Sequence, residues 1–392
     1  MITQCMCITT DKRTSIIATA RMTERVLLFI LSTYDVRREG KNFTHVCWSV
    51  SSQYISLNFD ALAICHIRLW AYLHAVAEIG SDIEKAIFLL KAGELVAIPT
   101  ETVYGLAGNA LNSAAVAKIF DVKNRPHFDP LIMHVPGIEA AELYVSSVPE
   151  QALALANRFW PGPLTLVLPK KSHVPDLTSA GLDTVGIRCP DHPLTRQLLK
   201  ELPFPLAAPS ANPFGYVSPT TAQHVDQQLG SRISYILDGG ACDIGIESTI
   251  VGFEDRHPVI YRFGGLSLEA IEAVVGPLQT RAHSTSNPRA PGQLKSHYAP
   301  GKRVVLGQIS ILRNDPAYAN AAIISFQTDY HAPYQIVLSR EGSLHEAAHN
   351  LFTALRQVDE FPVDIVLVEP VPNEGIGRAI NDRLSRAAAV NA

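Results

Sequence analysis

Five short loops of the sequence concentrate side chains that could bind a phosphate-bearing ligand. Arginine offers phosphate oxygens a planar fork of donors, lysine offers a point charge, and serine and threonine hydroxyls both donate and accept hydrogen bonds. Loops of this kind bind ligands at the strand ends of an α/β sheet, because the sheet holds them in place. The loops are residues 100–104, 123–126, 178–184, 209–213 and 245–249.

Lys123 and Arg125 are the main candidates for a phosphate site. Pro126 disfavours the helical region for Arg125, so the two cations can point the same way in an extended turn. The alternative is a solvated basic turn without a ligand. From the residue types alone, the sequence indicates a cleft lined by hydroxyls, Lys123, Arg125, Arg188 and Arg262, suited to a phosphate-bearing ligand and a small polar one.

Other catalytic side chains give weaker signals. His134 lies in an apolar segment, where an imidazole is either a core residue or a functional group. Ser210 and Ser248 lack the Gly-x-Ser-x-Gly setting and the acid–histidine pattern of a nucleophile. The glycines fit neither the P-loop nor the dinucleotide-binding pattern, and no His or Cys cluster has zinc-ligand spacing, so we predict no metal held by protein ligands.

Composition narrows the class of protein further. Six cysteines without a Cys-x-x-Cys pair argue against a disulfide framework and favour the cytoplasm. A net charge of −4 gives no overall attraction to nucleic acid, so binding of a polyanion needs a local basic surface. The most apolar early window, residues 26–31, is far shorter than the roughly 20 residues that span a bilayer, and we expect no membrane segment.

Hydrophobic periodicity places the five loops in an α/β fold. Ser81 and Glu84 have capping-box spacing, Gly93 can end the first helix in the left-handed region, and Ser147 and Glu150 form a second capping pair. The pattern predicts further helices over residues 113–120 and 150–159, and strands over 94–98, 131–135, 164–168, 184–188, 206–208, 235–237, 249–253 and 259–262.

The chain divides into four predicted segments. Residues 1–76 show no sustained period and are an N-terminal extension, either a misassigned start or a small accessory segment. Residues 77–277 form the first α/β domain, and residues 278–301, rich in Pro, Ser, Gly and Arg, form a linker. Residues 302–392 form a smaller α/β domain with strands over 304–306, 322–326, 336–338 and 365–368 and helices over 343–355 and 375–388.

A series of motifs in one order resembles the YrdC/YciO family in its long two-domain form. They are PTETVYGLAGNA, KNRPHFDPLIMHV, WPGPLTLVLP, SAGLDTVGIRCPDHP, PLAAPSANPFGYVSPT, DGG with GIESTIV, and APGQLKSHYAP. The match runs from Ile79 to Ala392. The resemblance implies a YrdC-like twisted mixed sheet with a concave cationic face, followed by the smaller α/β domain.

The resemblance also implies an activity. Members of the family are threonylcarbamoyl-AMP synthases, which convert ATP, L-threonine and bicarbonate to L-threonylcarbamoyladenylate and pyrophosphate. The product serves the threonylcarbamoyladenosine modification beside the anticodon of tRNAs that read ANN codons, through a downstream transfer machinery. We expect Mg²⁺ to accompany ATP, and charge neutralisation rather than a covalent enzyme intermediate to drive the reaction.

Site residues carry over motif by motif. The resemblance assigns Lys123 and Arg125 as catalytic cations. It assigns the threonine site to Thr102, His134, Arg188, Ala208 and Ser248. It assigns the nucleotide site to Arg125, Asp129, Thr184, Ser210, Asn212, Ser218, Arg262 and Lys295, the last within a segment that closes over the nucleotide.

Two positions depart from the family pattern. Asp129 stands where the family often has Asn or another polar residue, which brings a carboxylate towards the phosphates. Phe263 and Gly264 follow Arg262 where the family usually has Pro-Gly, so the shape of that loop differs.

Two alternatives remain open. The cationic face of short relatives resembles a cradle for double-stranded RNA, so weak binding of double-stranded RNA or tRNA is one alternative; it would depend on salt and need no threonine. A carbamoyl-phosphate-using transferase is the other, but that enzyme normally carries zinc-finger and acylphosphatase modules, and neither is seen here. The linker and second domain favour the synthase, because a closing segment excludes water from a labile adenylate.

Overall fold

A computed structural model describes residues 77–282, 290–292 and 297–389 of the chain. The predicted extension, residues 1–76, and Lys295 lie outside the described residues. The described residues belong to one compact unit. The boundaries of the four predicted segments stay a prediction. The described residues form a larger sheet followed along the chain by a smaller one, as expected.

The first and larger sheet is mixed and, among the described residues, has eleven strands in the order β1-β8-β2-β3-β7-β4-β6-β5-β9-β10-β11. A mixed sheet of this kind was expected from the resemblance. Its strands are β1 Glu78–Gly80, β2 Val96–Ile98, β3 Gly105–Asn109, β4 Ile132–His134, β5 Leu164–Pro169, β6 Thr184–Arg188, β7 Leu206–Ala207, β8 Tyr235–Leu237, β9 Thr249–Glu254, β10 His257–Arg262 and β11 Gln279–Thr280.

Strand register brings residues distant in sequence into one row across the sheet. In parallel β4 and β6, His134 lies opposite Arg188, and in antiparallel β5, Thr165 lies opposite Arg188. Strand β9 runs parallel to β5 and begins with Thr249 opposite Leu164. The residue before β9, Ser248, lies beside this row, since its Oγ is 2.8 Å from Thr165 Oγ1, and side chains of four segments meet at one edge of the sheet.

Eight helices of the described chain accompany this sheet. They are α1 Ile83–Lys91, α2 Ser113–Lys123, α3 Ile138–Ala141, α4 Glu150–Phe159, α5 Asp176–Ser179, α6 Pro193–Glu201, α7 Ala222–Leu229 and α8 Leu268–Val275. One apolar core packs around the long central strands, and a second lies between α1, α6 and strand β8. Both cores leave the loops at the strand ends free to carry polar side chains.

Helix ends differ from the predicted capping boxes. Asp82, not Ser81, caps α1, since its Oδ1 accepts a hydrogen bond from Lys85 N at 3.1 Å. The pair Ser147 and Glu150 is also wrong, because α4 starts after Pro149 without a side-chain cap. Aspartate caps a helix as well as serine does, so spacing alone could not choose between adjacent candidates. Gly93 adopts φ +78°, which confirms the predicted left-handed end of α1.

The second sheet is four-stranded and parallel, in the order β12-β15-β13-β14, and forms the smaller α/β domain. Its elements are β12 Arg303–Leu306, α9 Ile309–Leu312, β13 Ala322–Ser325, β14 Gln335–Val337, α10 Leu344–Gln357, β15 Ile365–Val368 and α11 Gly377–Ala388, with short 3₁₀ turns at Pro316–Tyr318 and Val358–Glu360.

The two sheets share apolar packing. Val103, Val217 and Ile246, which belong to loops of the first sheet, are buried in the same cluster as the core of the smaller domain. Gly245 shows how closely the parts approach. A Cβ at Gly245 would lie 2.5 Å from the Cα of His349 in α10. Only glycine permits this distance, so α10 of the smaller domain packs directly against the loop that contains Gly245.

Candidate active site

Thr100 shapes the loop that follows β2. Its Oγ1 donates to the Val103 carbonyl at 2.6 Å and accepts from the backbone N–H groups of Thr102 and Val103, each at 3.2 Å. A threonine hydroxyl that bonds its own loop in this way fixes a turn. The turn presents Thr102, whose Oγ1 accepts from Arg188 Nη2 at 2.8 Å.

Arg188 also pairs with Glu101, a residue the sequence analysis did not select. Its Nη2 lies 2.8 Å from Glu101 Oε1, and both side chains are buried. Neither Glu101 oxygen has the geometry of a hydrogen bond, so the contact is an ion pair. Arg188 is thus held from two sides, by a hydroxyl and by a carboxylate of the same loop.

His134 lies beside Arg188 as a neutral imidazole. Burial, reinforced by the positive charge of Arg188, lowers the pKa of His134 to about 3. Its Nδ1 is 3.2 Å from the Ile132 carbonyl, and because a carbonyl only accepts, Nδ1 carries the proton. The site therefore gains a polar ring here without a second positive charge.

Lys123 differs from the predicted extended turn. Helix α2 continues through Lys123, and Asn124, at φ +51°, ends it. The buried Lys123 Nζ donates to the carbonyls of Ser210 at 2.6 Å and Asn212 at 2.5 Å. Burial, and then the neighbouring Arg125, lower the pKa of Lys123 well below its usual value. Lys123 thereby fixes the loop of residues 209–213 with two of its three donors.

Arg125 is anchored by its own loop. Its Nε donates to the Asp129 carbonyl at 3.1 Å, and its Nη2 donates to the Pro130 carbonyl at 2.8 Å. Asp129 Oδ2 lies 3.0 Å from Arg125 Nη2, and its carboxylate is fully buried without a hydrogen bond. Burial raises the pKa of Asp129 against the opposing attraction of Arg125. In the described structure this carboxylate partners Arg125.

Ser248 and Arg262 form the opposite side of the site. Arg262 Nη2 donates to the Ser248 carbonyl at 2.9 Å and lies 3.2 Å from its Oγ, while Nη1 donates to the Pro291 carbonyl at 3.3 Å. Ser248 Oγ is also 2.8 Å from Thr165 Oγ1 on β5. The loop after Arg262 requires glycine at position 264, because a Cβ there would lie 2.3 Å from the Glu247 carbonyl oxygen.

These elements enclose a cavity of about 50 Å³. Seven of the predicted site residues line it, and the structure adds Glu247, His297 and Tyr298, which the sequence analysis did not assign to the site. The predicted residues on the wall are Arg125, His134, Arg188, Ala208, Ser210, Ser248 and Arg262.

Five other predicted residues stand one contact behind the wall. Thr102 bonds Arg188, Asp129 pairs with Arg125, and Lys123 bonds the carbonyl of Asn212. The fifth is Ser218, whose Oγ donates to Glu247 at 2.5 Å. These residues can position the wall, and their assigned roles stay predictions.

Thr184 is not brought to the cavity. It begins β6, whereas Arg188 ends the same strand, and four residues of extended chain span about 13 Å. The motif placed both residues in one set, because a sequence does not show which end of a strand carries the site. Lys295 lies outside the described residues.

The missed residues carried partial signals. Glu101 and Glu247 sit within the motifs PTETVYGL and GIEST, next to residues that were selected. A buried carboxylate that pairs with an arginine cannot be told from an exposed one by residue type. His297 and Tyr298 lie in the linker, where the sequence offered no periodicity to place them.

Two known family models match this chain in sequence. Residues 88–264 match the Sua5/YciO/YrdC model, described as telomere recombination, and residues 266–389 match the model described as the C-terminal domain of threonylcarbamoyl-AMP synthase. A threonylcarbamoyl-AMP synthase of Bacillus subtilis is 42% identical over 329 residues, which cover 78% of this chain and 93% of that protein. The chain belongs to the Sua5/YciO/YrdC family.

Two further relatives are similar to this chain over most of their lengths. Threonylcarbamoyl-AMP synthases of Pyrococcus abyssi and Schizosaccharomyces pombe are 41% and 35% identical, and the matches cover 92% and 90% of their lengths. A crystal structure of P. abyssi Sua5 with L-threonine superposes with a TM-score of 0.74 at 40% identity, over 78% of this chain and 94% of that one. The predicted family and fold class are confirmed.

The described side chains offer no cluster of metal ligands. Within residues 77–282, 290–292 and 297–389, no three His, Cys, Asp or Glu side chains cluster as a metal site. The carboxylates nearest the cavity, Glu101, Asp129 and Glu247, each pair with an arginine. They do not fit a site made by protein ligands alone. The described helices also include none that is long and apolar enough to cross a membrane.

Proposed function

We propose that this chain is an L-threonylcarbamoyladenylate synthase that uses L-threonine, bicarbonate or CO₂, and ATP. The observation that carries the proposal is the single cavity shared by two groups of side chains. Thr102, His134 and Arg188 stand on one side of it, and Arg125 and Arg262 stand on the other. Long relatives with this name and one threonine-bound relative, matched over nearly their whole lengths, support it.

The reaction balances without a covalent enzyme intermediate. The threonine amine attacks CO₂ or bicarbonate and forms a C–N bond, which gives a carbamate; from bicarbonate, water leaves. A carbamate oxygen then attacks the α-phosphorus of ATP, and the bond to the β-phosphate oxygen breaks with release of pyrophosphate. The leaving group carries the developing charge, so fixed cations on the cavity wall lower the barrier.

The contacts of each cation suit it to a different part of the substrates. Arg125 and Arg262 reach the cavity with guanidinium forks already oriented by backbone carbonyls, which suits them to phosphate oxygens. Lys123 has two carbonyl partners, and the negative charge of an approaching phosphate would favour its protonated form, which has a third donor. Arg188, held by Thr102 and Glu101, suits the threonine carboxylate.

We propose that Mg²⁺ enters as a partner of ATP. Magnesium keeps several waters and usually binds substrate phosphates with one or two carboxylates at most, so the paired carboxylates here do not argue against it. The ion would neutralise phosphate charge, while the chain's own residues bind and orient ATP.

The further destination of the product is also a proposal. We propose that threonylcarbamoyladenylate passes to a cytoplasmic machinery that modifies adenosine beside the anticodon of tRNAs reading ANN codons. Weak binding of double-stranded RNA or tRNA is a separate prediction. Such binding should weaken steeply as salt rises and should not need threonine.

Pyrophosphate release tests the proposal. We expect release from ATP to require both threonine and bicarbonate, and Lys123→Ala and Arg125→Ala to lower the rate by about 100-fold or more while the fold persists. Lys118→Ala is the matched control, since Lys118 lies on the same helix but pairs with Glu94 at the surface. Near-wild-type turnover of the Lys123 and Arg125 variants, or release without threonine, would contradict the assignment.

A further inference from the structure

One buried arginine of the smaller domain contacts two parts of the cavity wall at once. Arg383 lies on α11 and is fully buried. Its Nε is 3.0 Å from Glu247 Oε2, and its guanidinium carbon lies 5.0 Å from the centre of the Tyr298 ring. Glu247 and Tyr298 both line the cavity, and they come from separate segments. Arg383 itself does not line it.

The contact with Glu247 continues to a predicted nucleotide residue. Glu247 Oε1 accepts from Ser218 Oγ at 2.5 Å while Oε2 faces Arg383, so the carboxylate bridges the catalytic loops and α11. Arg383 is charged in this position, because Asp382 Oδ2 also accepts from its Nη1 at 2.8 Å. A buried cation with two carboxylate partners holds both in place more firmly than an exposed pair does.

The contact with Tyr298 continues to Arg262. Tyr298, Arg262 and Gly292 pack with no spare room, since a Cβ at Gly292 would lie 2.8 Å from Tyr298 Oη and 3.1 Å from Arg262 Cδ. Tyr298 and Arg262 thus both lie against Gly292, and we expect a shift of the Tyr298 ring to reach Arg262, which is a predicted phosphate contact. A desolvated cation over an aromatic face is one of the stronger contacts that can fix such a ring.

We propose that Arg383 is a positioning residue of the nucleotide site: from the smaller domain it holds Tyr298, and through Tyr298 and Glu247 it sets Arg262 and Ser218 for ATP. The smaller domain thereby completes the nucleotide side of the cavity. Arg188, on the threonine side, is held by Thr102 and Glu101, and neither of these contacts involves Arg383. This inference rests on the proposed function for its choice of nucleotide.

The test compares variants at both ends of the contact. We expect Arg383→Met to raise the KM for ATP, and the Kd for ATP measured by calorimetry, by about tenfold, with less than about a twofold change in the KM for threonine. Arg383→Lys keeps the charge and should recover part of the loss. Arg378→Met is the matched control, since Arg378 lies on the same helix and pairs with Glu269 of α8, not with Asp382.

A double-substitution cycle separates positioning from general destabilisation. In a Tyr298→Leu background, Arg383→Met should lose less ATP affinity than in the wild-type background, because only the path through Glu247 remains. If Arg383→Met fails to fold, Tyr298→Leu is the second test, because it leaves the ion pairs of Arg383 intact. Tyr298→Leu should raise the KM for ATP and leave the KM for threonine unchanged.

Three outcomes would overturn the inference. They are equal shifts in the KM for ATP and for threonine, the same loss in Arg378→Met, and fully additive losses in the Tyr298→Leu background. The proposed function fails differently. In that case the wild-type protein releases no threonine-dependent pyrophosphate, while calorimetry still reports whether Arg383 supports ATP binding.

Discussion

The buried His134 predicts a specific sensitivity of the fold to acid. Its folded-state pKa is about 3, whereas an unfolded histidine has a pKa of about 6.5. As pH falls below about 6.5, the unfolded chain binds a proton that the folded chain rejects. The contribution of His134 to the free energy of unfolding is therefore fully present above about pH 6.5. It is lost progressively as pH falls from there towards 3.

The size of the effect follows from the two pKa values. Between about pH 7 and pH 5, the proton bound by the unfolded state lowers the free energy of unfolding by about 2 kcal/mol. The perturbation is His134→Gln, which removes the titrating ring. We expect the wild-type protein to lose about 2 kcal/mol more stability than the variant across this interval, as measured by urea unfolding followed by circular dichroism.

A matched control isolates His134 from the other histidines. His297 is also buried and its pKa is also lowered by burial, so it adds to the slope of both proteins alike. His345→Gln is the matched substitution at an exposed histidine. Equal pH slopes for the wild type and His134→Gln would refute the reasoning, since they would mean that the imidazole is protonated in the folded site.

Two further predictions concern single contacts. Gly245→Ala should lower the free energy of unfolding by about 2 to 4 kcal/mol, because its Cβ would meet the backbone of α10 at 2.5 Å; Gly240→Ala, at a similar positive φ but with no atom within 4 Å, should cost only about 1 kcal/mol. Equal thermal shifts in the two variants would remove the case for a close interdomain contact. Asp129→Asn should destabilise the free protein by about 3 kcal/mol and yet tighten ATP binding severalfold, because Arg125 loses its carboxylate partner and the phosphates lose a nearby negative charge. Weaker ATP binding by calorimetry would show instead that Asp129 orients Arg125 productively.

Much of the fold was readable from local patterns. Helix α4 matches its predicted span of residues 150–159, and Gly93 ends α1 as expected. The missed elements contain residues that weaken the pattern. Strand β3 holds Gly105 and Gly108, which are poor strand residues, yet a Cβ at Gly108 would lie 2.8 Å from Leu95. Tertiary packing, which one sequence does not display, required glycine there.

The site was predictable as a set of residue types, and its pairings were not. Strand register places His134 opposite Arg188, and the Ser248 hydroxyl joins them through Thr165, which also lies opposite Arg188. No pattern indicates that Glu101 faces Arg188, or that Glu247 faces an arginine of the smaller domain. Such pairs join residues far apart in sequence, and their partners are chosen by packing.

The pairings explain how three arginines can surround so small a cavity. Arg188 is paired with Glu101, Arg125 with Asp129, and Arg262 with backbone carbonyls, so each charge is compensated before any ligand arrives. A cavity of about 50 Å³ holds only one or two waters, whereas small-molecule sites usually enclose several hundred cubic ångströms. Tyr298 and its neighbours are the part of the wall contributed by the linker, and Tyr298 lies against Arg383 of the smaller domain.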